Sequence, residues 1–247
     1  MIASYGSQLA DIAWSISQRD RRDDLLVEGA LFNTAVALFD TIVDDQPDRR
    51  PAAEAALQPV TLWNAVVHGL ALPQEIDAGL DLVVELFRFL FERILRRCSR
   101  GHRVRLAQLL GDMYRCETRP GADPMPAKVL PTAFIGQLCT PPCLTEAMVM
   151  TRLGTFVALL DDWLDLACDI RAGAPNGFLG GGSTWSMQRL AATAFQVVGG
   201  RASHQRIATR LGLALTGTLD AAAGAGARTQ YMVAAFVRRL LGTPHVE

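Results

Sequence analysis

Residues 25–45 read LLVEGALFNTAVALFDTIVDD. Leu25, Ala30, Phe32, Val36 and Phe39 recur with helical period, and the stripe runs directly into Asp40, Asp44 and Asp45. An apolar stripe of period near 3.6 residues marks one buried face of a helix. Leu82, Leu86, Phe89, Leu90 and Ile94 repeat the pattern. No segment sustains the period-two alternation with turn pairs that a sheet requires. The spacing predicts helices at about 5–19, 24–46, 52–70, 74–98, 102–118, 126–139, 142–172, 184–198, 202–222 and 227–241, divided by Pro51, Pro73, Gly101, Pro120 to Pro126, Pro141-Pro142, Gly173 to Gly182 and Gly199-Gly200. Pro131 is expected to kink or end its helix. The joints are mostly short, as between antiparallel neighbours of a bundle. Gly173–Ser183 is the longer exception, flexible in the absence of a partner. The reading is all-α: residues 1–247 as one domain, a bundle of about ten helices.

Composition narrows the function. Half of the 247 residues are hydrophobic, enough for a sizeable core. The net charge of −1 and pI near 6.4 lack the basic footprint of a nucleic-acid binder, so no nucleic-acid partner is expected. No run approaches the roughly 18 apolar residues of a membrane span; Leu82–Leu95 is broken by Glu85, Arg88, Glu92 and Arg93. Met1–Leu25 does not read as a secretory signal, and five cysteines suit no disulfide framework, so free, mostly buried thiols in a reducing cytoplasm are expected. Cys139 and Cys143 lack a second pair at zinc spacing. Of 24 basic residues only one, Lys128, is Lys.

The informative feature is acid directly behind apolar helix. Asp40, Asp44 and Asp45 follow Ala35–Phe39; Asp161, Asp162, Asp165 and Asp169 follow Phe156–Leu160. Residues four apart share a helix face, so Asp40 and Asp44 stack, as do Asp161, Asp165 and Asp169. Like charges at that spacing repel, and burying them uncompensated is costly. Carboxylates at one-turn spacing without Cys or His suit a hard divalent cation such as Mg²⁺, which also takes phosphate oxygens. A single Asp-rich helix end has a plain alternative, a solvated terminus; two such ends behind apolar helices are harder to assign to chance.

Asp161-Asp162-Trp163-Leu164-Asp165 has the DDxxD form of the second aspartate-rich motif of trans-prenyltransferases, with Gly154 seven residues before it. Asp40-Thr41-Ile42-Val43-Asp44-Asp45 resembles the first motif of squalene and phytoene synthases, and Arg49-Arg50 follow it as an arginine pair does in prenyltransferases. In motif order, in a separation of about 120 residues and in helical character, the chain resembles the class I isoprenoid synthase superfamily. Val43 departs from the acid of the squalene-synthase pattern, Phe156-Val157-Ala158 lacks the usual Phe-Gln pair, and no basic set for a second diphosphate is evident; Arg19, Arg21 and Arg22 match it poorly.

The resemblance implies an isoprenoid-synthase-like bundle around a central apolar cavity. It implies Mg²⁺, three ions, on Asp40, Asp44 and Asp45 and on Asp161, Asp162 and Asp165, with Arg49, Arg50 and Lys128 on the diphosphate of a prenyl substrate. Lys128 lies between the motifs, as does a diphosphate-binding Lys-Thr pair in the family; its alternative is an exposed helix-start lysine. Arg49 and Arg50 are otherwise exposed basic residues. Glu117 and Tyr114 either line the cavity or are a helix-end acid and a half-buried aromatic. Arg152 reads as structural, and His68, His102, His204 and His245 as scattered. Trp63, Trp185, Phe32, Phe39 and Phe156 read as core, with one or two available to face a carbocation. The expected activity is Mg²⁺-dependent ionisation of an allylic prenyl diphosphate, with Asp40, Asp44, Asp161 and Lys128 central, followed by cyclisation. The alternatives are prenyl transfer to an acceptor, a non-catalytic subunit of the same fold, and a di-metal bundle, which would want Glu-x-x-His ligands. Gly173–Ser183 could order over the mouth, and homodimers are common in the family.

Overall fold

A computed structural model of the chain describes residues 2–46, 48–73, 80–118, 124–139, 143–172, 176–179 and 201–242. Their regular elements are α1 (Ile2–Ser17), α2 (Arg22–Asp45), α3 (Arg50–Ala56), α4 (Pro59–Trp63, running on as a π-turn at Asn64–His68), α5 (Asp81–Arg97), α6 (Arg100–Thr118), α7 (Pro124–Gln137), α8 (Leu144–Ala172), α9 (Arg201–Ala225) and α10 (Ala227–Gly242). Among the described residues there is no strand, so the all-α reading holds. The expected helix at 184–198, the residues 74–79 that were to open another, the Gly180–Gly182 centre of the long joint and Trp185 lie outside the described residues.

Two prolines shape the helices in different ways. The stretch 52–70 is divided, because Pro59 opens α4 and holds Gln58 extended at φ −53° and ψ 149°. Pro131 does not end its helix; α7 continues through it to Gln137. Proline has no N–H to give the carbonyl of Ala127, so that turn forgoes one ladder bond and packing carries the helix across.

The core is organised around α2, whose buried face is Leu25, Phe32, Ala35, Phe39, Ile42 and Val43. Phe32 stacks on Phe134 of α7 with ring centroids 4.2 Å apart. Against α1 the approach is closer than side chains permit. A Cβ at Gly6 would lie 2.1 Å from the carbonyl oxygen of Gly29, and one at Gly29 would lie 2.5 Å from that of Gly6. By length and hydropathy, Arg22–Asp44 is the one described segment apolar enough to cross a membrane, although no uninterrupted run of about 18 apolar residues marks it. Here its apolar face is the centre of the bundle, and Phe32, Phe39 and Phe156 are core as expected, with Trp63 half-buried.

α7 and α8 form an antiparallel pair whose register places the site. Gly136 faces Met150, Gly154 faces Thr132 and Val129, and Lys128 meets Asp161 and Asp162. Side chains at Gly136 and Gly154 would push the helices apart, since added Cβ atoms would lie 2.6 Å from Met150 and 3.0 Å from Thr132. On its other side α8 packs on α9, where the Thr218 hydroxyl donates to the Arg152 carbonyl at 3.0 Å. None of the five cysteines forms a disulfide, and only Cys98 and Cys139 are buried; Cys116 and Cys143 are half-buried and Cys168 is exposed. The thiols are thus less buried than expected, because Cys168 falls on the outer face of α8.

Candidate functional site

Two helices bring acid to one place at or near their C-terminal ends. Asp40 and Asp44 lie in the last turns of α2, and Glu117 is the penultimate residue of α6. A helix C-terminus carries the negative end of the backbone dipole and disfavours acid, and the last turn of α2 contains no basic residue to offset it. Carboxylate oxygens of Asp40, Asp44 and Glu117 lie within 4.8 Å of one another. Asp40 and Asp44 are open to solvent at the rim and Glu117 is half-buried. The side chain of Asp45 lies outside the described residues.

The electrostatics record the crowding. Desolvation, then the neighbouring Asp40 charge, pushes Glu117 up to about 7, so that below neutrality it carries a proton and donates it to Asp40. The Asp40 carboxyl is also raised, by desolvation first and by Asp44 and Asp161, while Glu117 and Lys128 pull it back. Both Lys128 and Asp161 thus act on Asp40 across the mouth. Three oxygen donors that repel one another and hold an extra proton fit a hard divalent cation such as Mg²⁺.

The second cluster behaves differently from the expected ligand set. Lys128 Nζ donates to Asp161 Oδ2 at 2.7 Å and to Asp162 Oδ1 at 2.6 Å. Burial works to lower the Lys128 pKa, but these two carboxylates outweigh it and hold the ammonium firmly charged. Asp161 is exposed, whereas Asp162 is fully buried and its Oδ2 accepts the Gly177 amide at 2.9 Å. Asp165 is exposed one turn on, and Asp169 accepts from Asn176 Nδ2 at 2.7 Å. The resemblance placed Asp161, Asp162 and Asp165 in one ligand set; the fold turns Asp162, which lies off the face that Asp161 and Asp165 share, inward and leaves the other two outward.

Below the first cluster lies an apolar pocket of about 510 Å³, open solvent at its mouth included. Val36 and Phe39 of α2, Phe87 of α5, and Leu110 and Met113 of α6 line it, with Ala127 and Pro131 of α7 on one wall and Asp40 and Glu117 at the polar end. Tyr114 also lines it and is fixed by donating its hydroxyl to the Glu54 carbonyl at 2.9 Å. Glu117 and Tyr114 therefore take the lining role rather than the plain one.

The arginine pair is divided. Arg49 donates to Gln46 at 3.1 Å, while Arg50 pairs with Glu54 at 2.7 Å and its charge reaches Glu117. Arg50 is thus beside the first cluster. Arg152 packs against α9, where a Cβ at Gly217 would lie 2.7 Å from its guanidinium, which agrees with a structural role. His102 is buried, with Nε2 2.5 Å from the Gln137 carbonyl.

Two residues near the site carried no sequence signal. The buried Tyr5 hydroxyl of α1, its pKa raised by desolvation, bonds Thr132 and lies close enough to sense Asp161. Asn176 ties the segment after α8 to the Asp162 carbonyl at 2.6 Å. Asn after a helix is common enough to mark nothing by itself. No family model, curated protein or solved structure matches the chain.

Proposed function

We propose that this protein is a class I isoprenoid-synthase-like enzyme that ionises an allylic prenyl diphosphate and cyclises the resulting cation. One observation carries the reading: an apolar pocket whose polar end is an acidic triad, with Asp161 and an ammonium, Lys128, close enough to act on that triad. A prenyl diphosphate has the matching halves, a hydrocarbon tail and a polyanionic head that is bound through cations.

In this reading Asp40, Asp44 and Glu117 would hold Mg²⁺ on one side and Asp161 with Asp165 on the other, and a set of three ions remains part of the proposal. The chemistry Mg²⁺ supplies when bound is neutralisation of diphosphate charge, which makes the group a better leaving group. Lys128 donates to a phosphate oxygen, with Arg50 beside the first cluster. The allylic C–O bond breaks heterolytically, the electron pair leaves with diphosphate, and the carbon chain lies among Phe39, Phe87 and Leu110, apolar side chains that would shield the cation from water. Loss of a proton from the cyclised cation to the departed diphosphate anion completes the reaction. Arg19, Arg21 and Arg22 lie at the α1–α2 joint rather than on the pocket lining, which favours one diphosphate and hence cyclisation over condensation with a second. Such an enzyme would work in the cytoplasm.

The test is incubation with Mg²⁺ and geranyl, farnesyl or geranylgeranyl diphosphate, with diphosphate release and hydrocarbon products measured. Release from at least one is expected, and Asp40→Asn should slow it at least a hundredfold by removing a transition-state charge contact. No release from any, beside active controls, would leave a non-catalytic role. Products longer than the substrate, formed only with isopentenyl diphosphate, would establish chain elongation instead.

A further inference from the structure

We propose that Asp162 is a positioning residue that acts through Lys128, leaving Asp161 as the member of the pair that meets a cation or ligand. The inference rests on the diphosphate reading above. Asp162 is fully buried, while the Asp161 side chain is 54% exposed. Both oxygens of Asp162 are engaged, Oδ1 by the Lys128 ammonium at 2.6 Å and Oδ2 by the Gly177 amide at 2.9 Å.

The surroundings fix it there. Asn176 Nδ2 donates to the Asp162 backbone carbonyl and to Asp169, and its side-chain Oδ1 accepts the Phe178 amide at 3.0 Å. Arg210 of α9 donates to the Gly177 carbonyl at 2.7 Å. A Cβ at Gly177 would lie 2.5 Å from Asp162 Oδ2, so the close approach requires glycine. An ion reaching Asp162 would have to displace an ammonium and an amide from a buried carboxylate, a desolvated exchange. At Asp161 it displaces one hydrogen bond at an exposed group.

This divides the labour of the pair. When Asp161 turns to a cation, Asp162 keeps the Lys128 Nζ at the mouth. Without that anchor the four-carbon stem would leave the ammonium to wander among rotamers, and a phosphate oxygen would have to order it.

A double-mutant cycle on the full chain tests this, with inorganic diphosphate and saturating Mg²⁺ as the probe in calorimetry. Asp162→Asn, which keeps the shape and the acceptor for Gly177, is expected to weaken diphosphate binding about tenfold. Lys128→Met should weaken it at least as much, and adding Asp162→Asn to Lys128→Met should cost nothing further. A purely structural Asp162 would cost the same in both backgrounds, and that result overturns the proposal, as does wild-type affinity in Asp162→Asn. Mn²⁺ binding followed by electron paramagnetic resonance gives a second readout. Asp161→Asn should reduce the ions bound with diphosphate and Asp162→Asn should not; equal losses overturn the assignment. If Asp162→Asn fails to fold, Gly177→Ala crowds the same oxygen without changing charge, and its effect should likewise vanish in Lys128→Met. A wild-type protein that binds no diphosphate would instead sink the diphosphate reading itself.

Discussion

Glu117 shows what a single residue gains from its neighbours. Its carboxyl, raised to about 7 by desolvation and by Asp40, binds a proton in the folded chain that the unfolded chain releases near 4.5. A raised acid stabilises the fold fully below its unfolded value, and that stability is lost as pH rises through about 7. The raised Asp40 contributes with the same sign, whereas His102, lowered chiefly by burial, contributes with the opposite one. Glu117→Gln, which still donates to Asp40 but does not titrate, isolates the effect. Between pH 5 and pH 8 the wild type should lose about 1–2 kcal/mol more stability than the variant, a figure discounted for the solvated rim. Parallel denaturation profiles for the two proteins would refute the shared proton. Asp40 and Asp44 were legible as a pair because helical spacing alone stacks them. Glu117 was not, since its place beside Asp40 depends on how α6 lies against α2, which no local period encodes. Asp162 illustrates the reverse. The motif grouped it with Asp161 and Asp165 as a ligand, whereas its side chain is turned inward and held by Lys128 and Gly177.

At the scale of elements, helix existence was readable wherever an apolar stripe ran for several turns, as in α2, α5 and α8. The errors came where two local rules compete. Proline at position 59 starts a helix and position 131 tolerates one, and the difference lies in packing around each. The α1–α2 contact was equally hidden, because Gly6 and Gly29 each look like a weak point in a helix until the helices are brought together. Gly29→Ala would ordinarily stabilise a helix by up to about 1 kcal/mol. Here the new Cβ would lie 2.5 Å from the Gly6 carbonyl oxygen and 2.8 Å from the Ala10 Cβ, and neither atom is the end of a flexible side chain. The overpacking should win, with a net loss of about 2–3 kcal/mol. Chemical denaturation measures it directly. Unchanged or increased stability would mean the helices sit further apart. Because α1 carries Tyr5 to Thr132, the same variant should also loosen α7 beneath Lys128.

Across the whole molecule, charge is handled in two opposite ways. Where the last turn of α5 meets the start of α2, acid is paired with arginine: Arg97 holds Glu28 and Asp20, Arg93 holds Asp24, and Arg97 also donates to the Leu138 carbonyl at 2.7 Å. Around the pocket mouth, acid is left against acid. Burial raises the Glu28 carboxyl while Arg97 and Arg93 draw it down, so its charge depends on those guanidiniums. This staple had no motif to announce it, since isolated Glu and Arg on amphipathic helices read as surface residues. It also bears on α2, whose hydropathy alone would suit a bilayer but whose Glu28 is 1% exposed and bonded across to α5. Arg97→Met removes the main partner of a buried carboxylate and should cost about 3–5 kcal/mol. Adding Glu28→Leu removes the stranded charge, so the double variant should recover part of that loss although it has lost one more native polar group. Equilibrium unfolding of the three proteins decides it; a double variant less stable than Arg97→Met would mean that the pair itself, rather than its compensation, stabilises the bundle. Diphosphate affinity in whatever fraction remains folded should match wild type, because the staple touches neither Lys128 nor the residues lining the pocket.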